Sequence, residues 1–250
     1  MNRLVIHTPL GPVPLVGRLQ AAANRPALLA IGGMFPPKDY LHDLIDDFPG
    51  DVVVGALPGM KSPIFREPSF ATFSAAYDAV VTRLFPSQPV VVLGVSTGAL
   101  VAMGMRAPSV RALVLVEPFL STAKLWPLIA YLRTRMDQLA SEKPLHRYLF
   151  DLFGVTLTGC ENRDYEHLAD SISVPVSVLC GGVPMNPPRE LPARPSLTDD
   201  QDRQRLMANP HVRLYVADPH IGHDVPGWPE GRALMVRLLR SAHDSLKPPS

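Results

Sequence analysis

The chain has 250 residues, of which 46% are hydrophobic, enough for one large α/β domain or two small ones. Its 24 basic and 23 acidic residues leave a net charge of +1, so no overall field favours nucleic acid or an anionic membrane. The apolar run near the first residue is too short for a signal peptide, and no apolar segment approaches the ~20 residues that cross a bilayer. We therefore expect a cytoplasmic protein without nucleic-acid or membrane partners.

Short apolar runs recur along the chain and predict β-strands, of which the first two predict an opening hairpin. They cover residues 4–7, 13–19, 27–31, 51–56, 89–93, 110–116, 174–180 and 212–216. Helical patterns separate most of the later runs, notably over residues 40–48, 69–84 and 229–245. Because strands and helices alternate, the sequence predicts an α/β fold with a mostly parallel, eight-stranded, doubly wound sheet.

The alternation changes between β-like runs over residues 118–171. Residues 126–132 and 145–153 have helical patterns, with no strand between them. We interpret residues 118–171 as a helical cap inserted into a core made of residues 1–117 and 172–250. Further on, Thr198 precedes two aspartates and is predicted to cap a helix that ends near Met207.

The sequence Gly94-Val95-Ser96-Thr97-Gly98 stands between an apolar run and a small-residue helical segment. This is the strand, turn and helix context of a G-x-S-x-G nucleophile elbow. Glycines on either side leave room for the sharp turn that lifts the serine out of the sheet. The pattern indicates Ser96 as a nucleophile; an ordinary Gly-Ser turn is the alternative.

Three motifs in this order resemble the α/β-hydrolase superfamily along nearly the whole chain. They are the elbow around Ser96, the loop Leu57-Pro58-Gly59-Met60-Lys61-Ser62, and Ile221-Gly222-His223-Asp224 after the last strand. The resemblance implies that His223 is the general base that removes the proton of Ser96. His220 is the nearby rival, but His223 follows the glycine as in the superfamily pattern.

The resemblance also implies an oxyanion hole, which requires two backbone N–H groups. One is expected from Thr97, directly after the nucleophile, and the other from the loop after the third strand. There, Gly32-Gly33-Met34 replaces the superfamily's His-Gly-x, which makes Met34 the donor by position and Gly33 the fallback.

The acid of the triad departs from the usual pattern, because Pro184 stands about where the superfamily has an aspartate. Glu117, at the end of the strand over residues 110–116, is the alternative that we favour. This position resembles that of many haloalkane dehalogenases, whose acid comes from the end of the equivalent strand. Asp199, Asp200 and Asp218 remain outside candidates.

The resemblance implies hydrolysis of an ester or thioester of a small-molecule acyl substrate through an acyl-Ser96 intermediate. Phe35, Phe119 and Trp126 are candidates to line an acyl pocket. No cofactor is implied, and Cys160 and Cys180 fit no metal spacing, so no metal site is predicted. The alternatives are an acyltransferase, a C–C bond hydrolase, and a binding protein that keeps the fold without catalysis. The oligomeric state is left open.

Overall fold

The computed structural model describes most of the chain, in seven segments: residues 2–20, 25–34, 39–58, 65–125, 143–156, 160–185 and 195–247. Among these residues, no helix is both long and apolar enough to cross a membrane.

One eight-stranded sheet forms the centre of the molecule, with strand order β1-β2-β4-β3-β5-β6-β7-β8. The strands are β1 Asn2–Thr8, β2 Gly11–Arg18, β3 Ala27–Ile31, β4 Val52–Gly55, β5 Val90–Val95, β6 Val110–Val116, β7 Val176–Cys180 and β8 Val212–Val216. β1 and β2 form an antiparallel hairpin, and β2 is also antiparallel to β4. All other neighbouring pairs are parallel. The predicted mostly parallel, doubly wound sheet is thereby confirmed.

Helices pack against both faces of this sheet. The helices among the described residues are α1 Asp39–Asp47, α2 Phe70–Leu84, α3 Thr97–Gly104, α4 Lys143–Phe153, α5 Glu166–Asp170, α6 Asp200–Met207 and α7 Pro229–Ser245, of which α4 and α5 belong to the segment between β6 and β7. Along β3, Leu29 and Ile31 join the core on the α2 and α3 face, whereas Leu28 and Ala30 join the core on the α1 and α7 face. A strand alternates its side chains between two buried faces, which explains why this run is apolar throughout.

The start of α6 differs from the sequence prediction. Asp199 is the N-cap, and its carboxylate accepts a hydrogen bond from Asp202 N at 2.8 Å. Thr198 does not cap the helix, because its hydroxyl donates to the carbonyl oxygen of Pro118 at 2.6 Å. The prediction was wrong because this partner lies 80 positions away in the sequence.

Between β6 and β7, the described residues include a 3-10 turn at Thr122–Lys124 and the helices α4 and α5. The predicted helix over residues 126–132 lies outside the described residues. Part of the insertion packs into the main core, since Tyr148 on α4 is fully buried with its ring 5.5 Å from that of Phe73 on α2. The limits of a separate cap remain a prediction.

The two ends of this insertion are joined to each other. Arg163 N donates to Thr122 Oγ1 at 2.7 Å, and Ser121 forms an antiparallel bridge with Asp164. The first end is also fixed to α6, because Leu120 N and Lys124 Nζ both donate to the Asp202 carboxylate, at 3.2 and 2.7 Å.

Candidate active site

Ser96 occupies a sharp turn between β5 and α3. Its φ of 55° lies in the left-handed region, which residues with a β-carbon rarely adopt. A β-carbon on Gly94 would lie 2.5 Å from the carbonyl oxygen of Gly98, and one on Gly98 would lie 2.3 Å from that of Ile31. Both distances are far shorter than a van der Waals contact, so the backbone packing at this turn requires glycine at both positions.

The loop after β3 lies directly against this turn. A β-carbon on Gly98 would also meet the carbonyl oxygen of Gly32 at 2.6 Å, and one on Gly33 would lie 3.4 Å from the Ser96 β-carbon. Met34, which follows, is buried. The structure thus brings the loop that carries Met34 beside Ser96 and Thr97. An oxyanion hole made of the Met34 and Thr97 N–H groups requires this proximity.

Thr97 is the first residue of α3, so its N–H is one of the groups that a helix leaves without an intrahelical acceptor. Ser96 is the N-cap, but its side chain makes no capping hydrogen bond. The hydroxyl is therefore not engaged by the helix that follows it. The positive end of the α3 dipole lies at this point and favours negative charge beside Thr97.

Glu117 lies one residue beyond the end of β6, next to Ser96. The Ser96 N–H donates to the Val116 carbonyl at 2.8 Å, and the Glu117 N–H donates to the Leu179 carbonyl at 2.9 Å. The ends of β5, β6 and β7 are therefore level. Like Ser96, Glu117 has a φ of 55°.

The Glu117 side chain is fully buried and accepts four hydrogen bonds. Oε1 accepts from Gly181 N at 2.6 Å and from Ser196 Oγ at 2.7 Å. Oε2 accepts from Leu197 N at 2.6 Å and is 3.1 Å from Nδ1 of His223. Burial of a carboxylate without partners is costly, and these four donors offset that cost.

His223 reaches Glu117 from the loop after β8, and its side chain is 33% exposed. A β-carbon on Gly181 would lie 2.4 Å from the Gly222 carbonyl oxygen, and one on Gly182 would lie 2.3 Å from that of Asp218. Glycines at these positions let the histidine loop pass close to the chain directly after β7. Because an ionised carboxylate can only accept, Nδ1 carries the proton in this contact and Nε2 of the neutral ring is an acceptor.

The other candidates for base and acid lie elsewhere. His220 is exposed and packs edge-on against Trp228, with ring centroids 5.1 Å apart. Asp199 caps α6 and pairs with Lys124 at 3.2 Å, while Asp200 and Asp218 are exposed. Pro184, at the usual acid position, is exposed as well.

The three candidate pocket residues have different positions. Phe119 is fully buried and packs against Phe153 and Tyr165, with centroids 5.6 and 6.4 Å away. It therefore contributes to the core around the base of the insertion. Phe35 and Trp126 lie outside the described residues.

Sequence reasoning missed the donors that hold Glu117. Gly181 and Leu197 act through backbone N–H groups, which no sequence pattern marks, and Ser196 lies 79 positions from the glutamate. The loop between β7 and α6, in which an aspartate was sought, supplies all three. The sequence did carry one signal, a glutamate directly after an apolar strand. A carboxylate buried there needs hydrogen-bond donors, and a neighbouring loop has to supply them.

The buried thiol of Cys180 lies beneath this cluster. Burial, together with the negative charge of Glu117, raises the pKa of Cys180 to about 12. The thiol therefore stays protonated near neutral pH and is a poor nucleophile.

At the carboxyl edge of this doubly wound sheet, a serine occupies a strained turn and a histidine contacts a buried carboxylate. This combination is typical of α/β proteins of the hydrolase class. The chain belongs to the alpha/beta hydrolase family, whose sequence model matches residues 21–246. No curated protein matches the sequence.

Solved structures with similar folds include several enzymes of low sequence identity. The N-formylmaleamic acid deformylase of Pseudomonas putida S16 is 16% identical, with a TM-score of 0.66 over 94% of this chain and 100% of that chain. A thermophilic esterase from Thermogutta terrifontis is 16% identical, with a TM-score of 0.62 over 97% and 100% of the two chains. The thioesterase domain from the curacin biosynthetic pathway is 19% identical, with a TM-score of 0.60 over 96% and 99%. At these identities the likeness concerns the fold alone.

Proposed function

We propose that the protein hydrolyses a carboxylic ester or thioester of a small acyl substrate through a covalent acyl-Ser96 intermediate. The observation that carries this proposal is the 3.1 Å contact between His223 Nδ1 and the buried Glu117 carboxylate, whose strand end is level with that of Ser96. A serine hydroxyl is a weak nucleophile, and an imidazole oriented by a carboxylate is a means of activating it.

In the first half of the reaction, Ser96 Oγ attacks the acyl carbon while His223 Nε2 takes the hydroxyl proton. The carbonyl oxygen becomes an oxyanion, which the N–H groups of Met34 and Thr97 stabilise. Glu117 stabilises the imidazolium without taking its proton. The bond to the leaving alcohol or thiol then breaks, and His223 returns the proton to that group.

In the second half, water attacks the acyl-serine and His223 takes the proton from the water. Collapse of the second tetrahedral intermediate releases the carboxylic acid and returns the proton to Ser96. Ester and thioester differ only in the group that leaves, so the same residues serve both. An esterase and a thioesterase are among the proteins with similar folds, so this scaffold carries both reactions in other proteins.

A fluorophosphonate probe and a graded panel of p-nitrophenyl esters and acyl-CoA thioesters test the proposal. We expect wild type to be labelled with loss of fluoride and to hydrolyse at least one member of the panel. S96A is expected to show neither property. Labelling of S96A equal to wild type, or wild type without labelling or turnover, would contradict the assignment of Ser96.

Acyl transfer and C–C bond hydrolysis use the same scaffold, and product analysis separates them from hydrolysis. With a competing alcohol or amine present, a hydrolase gives mainly the free acid, whereas an acyltransferase gives mainly the new ester or amide. A C–C bond hydrolase would act poorly on the simple ester panel.

A further inference from the structure

The geometry points to Ser196 as a positioning residue that holds the Glu117 carboxylate for His223. This inference rests on the proposed function, since it concerns the acid of the same site. Ser196 lies in the loop between β7 and α6 and is fully buried. Among the described donors to Glu117, apart from His223, its hydroxyl is the one that belongs to a side chain.

The single hydroxyl proton of Ser196 has two acceptors within reach. Glu117 Oε1 is 2.7 Å from Oγ, whereas the Thr198 carbonyl oxygen is 3.3 Å away. The shorter contact is also the charge-assisted one, so the proton goes to Glu117. The Thr198 N–H in turn donates to Ser196 Oγ at 3.3 Å, which leaves the hydroxyl oriented toward the carboxylate.

The two carboxylate oxygens have different tasks in this arrangement. Ser196 and Gly181 occupy Oε1, and Leu197 holds Oε2 in the position from which it meets His223. A glutamate side chain has one more rotatable bond than an aspartate side chain. Glu117 therefore loses more conformational freedom than an aspartate would when its carboxylate is held in one position. The loop that lacks an acid at Pro184 thus supplies the groups that fix the acid on the neighbouring strand.

The titratable and charged groups around this carboxylate are few among the described residues. His223 contacts Oε2, Cys180 lies below on β7, and Arg203 on α6 donates through Nη2 to the Gly181 carbonyl at 2.9 Å. Arg203 is thereby directed at the backbone beside Glu117. Removal of the Ser196 hydroxyl takes one hydrogen bond from the Glu117 carboxylate and leaves His223, Cys180 and Arg203 in place.

Ser196→Ala is the test, with Ser74→Ala as the matched control. Ser74 is also a buried serine, and its hydroxyl has two backbone acceptors within reach, Phe70 O on α2 and Val101 O on α3, each at 2.7 Å. We expect S196A to lower kcat and the rate of fluorophosphonate labelling by roughly 10- to 100-fold, as loss of a hydrogen bond to a charged group predicts. S74A should change unfolding but not these rates.

The pH profile of kcat/KM separates positioning from a structural role. Removal of a donor to the ionised carboxylate makes it easier for the Glu117–His223 pair to bind a proton. The acidic limb should therefore move to higher pH in S196A and stay in place in S74A. Equal profiles for S196A and wild type would overturn the inference.

Two further variants keep the inference testable if S196A folds poorly. Ser196→Cys keeps a similar shape but has a weak donor, so its rates should fall toward those expected of S196A. In a Glu117→Gln background, Ser196→Ala should cost less than about 3-fold, because the acceptor of the Ser196 hydroxyl is then neutral and no longer stabilises an imidazolium. Wild-type rates in S196C, or the same loss with and without Glu117, would assign Ser196 a purely structural role.

Failure of this inference is distinct from failure of the proposed function. If E117Q is inactive while S196A matches wild type, Glu117 is the acid and Ser196 does not position it. If S96A or E117Q retains full hydrolysis, the triad itself is contradicted.

Discussion

Ser96 and Glu117 have the same positive φ, 55° in each case, and they are the two residues other than glycine with positive φ among those described. They stand one residue beyond the ends of adjacent parallel strands, joined through the Ser96 N–H and the Val116 carbonyl at 2.8 Å. Conformations of this kind cost about 1–3 kcal/mol each and are concentrated at functional sites. Two neighbouring strands therefore store strain at the positions where nucleophile and acid are proposed.

Strain at Ser96 predicts an unusual order of stability in two inactive variants. Both S96G and S96A lack the hydroxyl, but only glycine tolerates a φ of 55° without a β-carbon penalty. We expect S96G to have a free energy of unfolding about 1 kcal/mol higher than S96A, measured by urea denaturation. At Ser171, where φ is −82°, the same pair should show the opposite order.

Glu117→Gln is expected to lower kcat by about 10³-fold or more, because a neutral amide does not stabilise the imidazolium and leaves His223 poorly oriented. Ester hydrolysis measures the effect, and circular dichroism checks that the variant is folded. Asp218→Asn is the control, since Asp218 is an exposed carboxylate after the last strand. Loss of activity in D218N with normal activity in E117Q would transfer the role of the acid.

The elbow glycines give a prediction about packing. Gly98→Ala would place a β-carbon 2.3 Å from the Ile31 carbonyl oxygen, and backbone has to move to relieve it. We expect a loss of roughly 2–3 kcal/mol of unfolding free energy. Gly33→Ala is the comparison, because its nearest contacts would be 3.4 Å, and it should lose less than about 1 kcal/mol. Equal losses in urea denaturation would contradict the close approach at Gly98.

Asp202 makes the stability depend on pH in a direction unusual for a carboxylate. Burial raises the pKa of Asp202 to about 6, although Lys124 and the Leu120 N–H oppose the shift. The folded chain therefore holds this proton more tightly than the unfolded chain does, and proton binding stabilises the fold. This stabilisation is present below about pH 4 and is lost as the pH rises through about 6.

Asp202→Asn removes this dependence. The unfolding free energy of D202N minus that of wild type should increase by up to about 3 kcal/mol as the pH rises from about 4 to 7. Urea denaturation at several pH values measures this, with Asp200→Asn as control because the Asp200 side chain is 88% exposed. A constant difference between D202N and wild type across the range would contradict the raised pKa.

Much of the fold was predictable because its signals are local. β3 and β5 are continuous apolar runs buried on both faces, and α2 repeats its apolar residues at helical spacing. Glu117 became the candidate acid because Pro184 stands at the usual acid position and because a charge directly after a buried strand needs partners; its role as the acid stays a prediction. The partners themselves were not predictable, since Gly181 and Leu197 contribute backbone N–H groups whose direction depends on how the β7–α6 loop folds. Thr198 misled for the same reason: its acceptor is distant in sequence.

The closed base of the insertion makes it suited to protein engineering. Residues 121–123 and 162–164 are bonded to one another, and Asp202 anchors Leu120 and Lys124 from the core side. A chimera that keeps residues 120–124, residues 162–164 and Asp202 would retain the residues that make these bonds. Both ends of the insertion would then keep their attachment to each other and to α6, which makes these residues a natural junction for exchanging the insertion between related proteins.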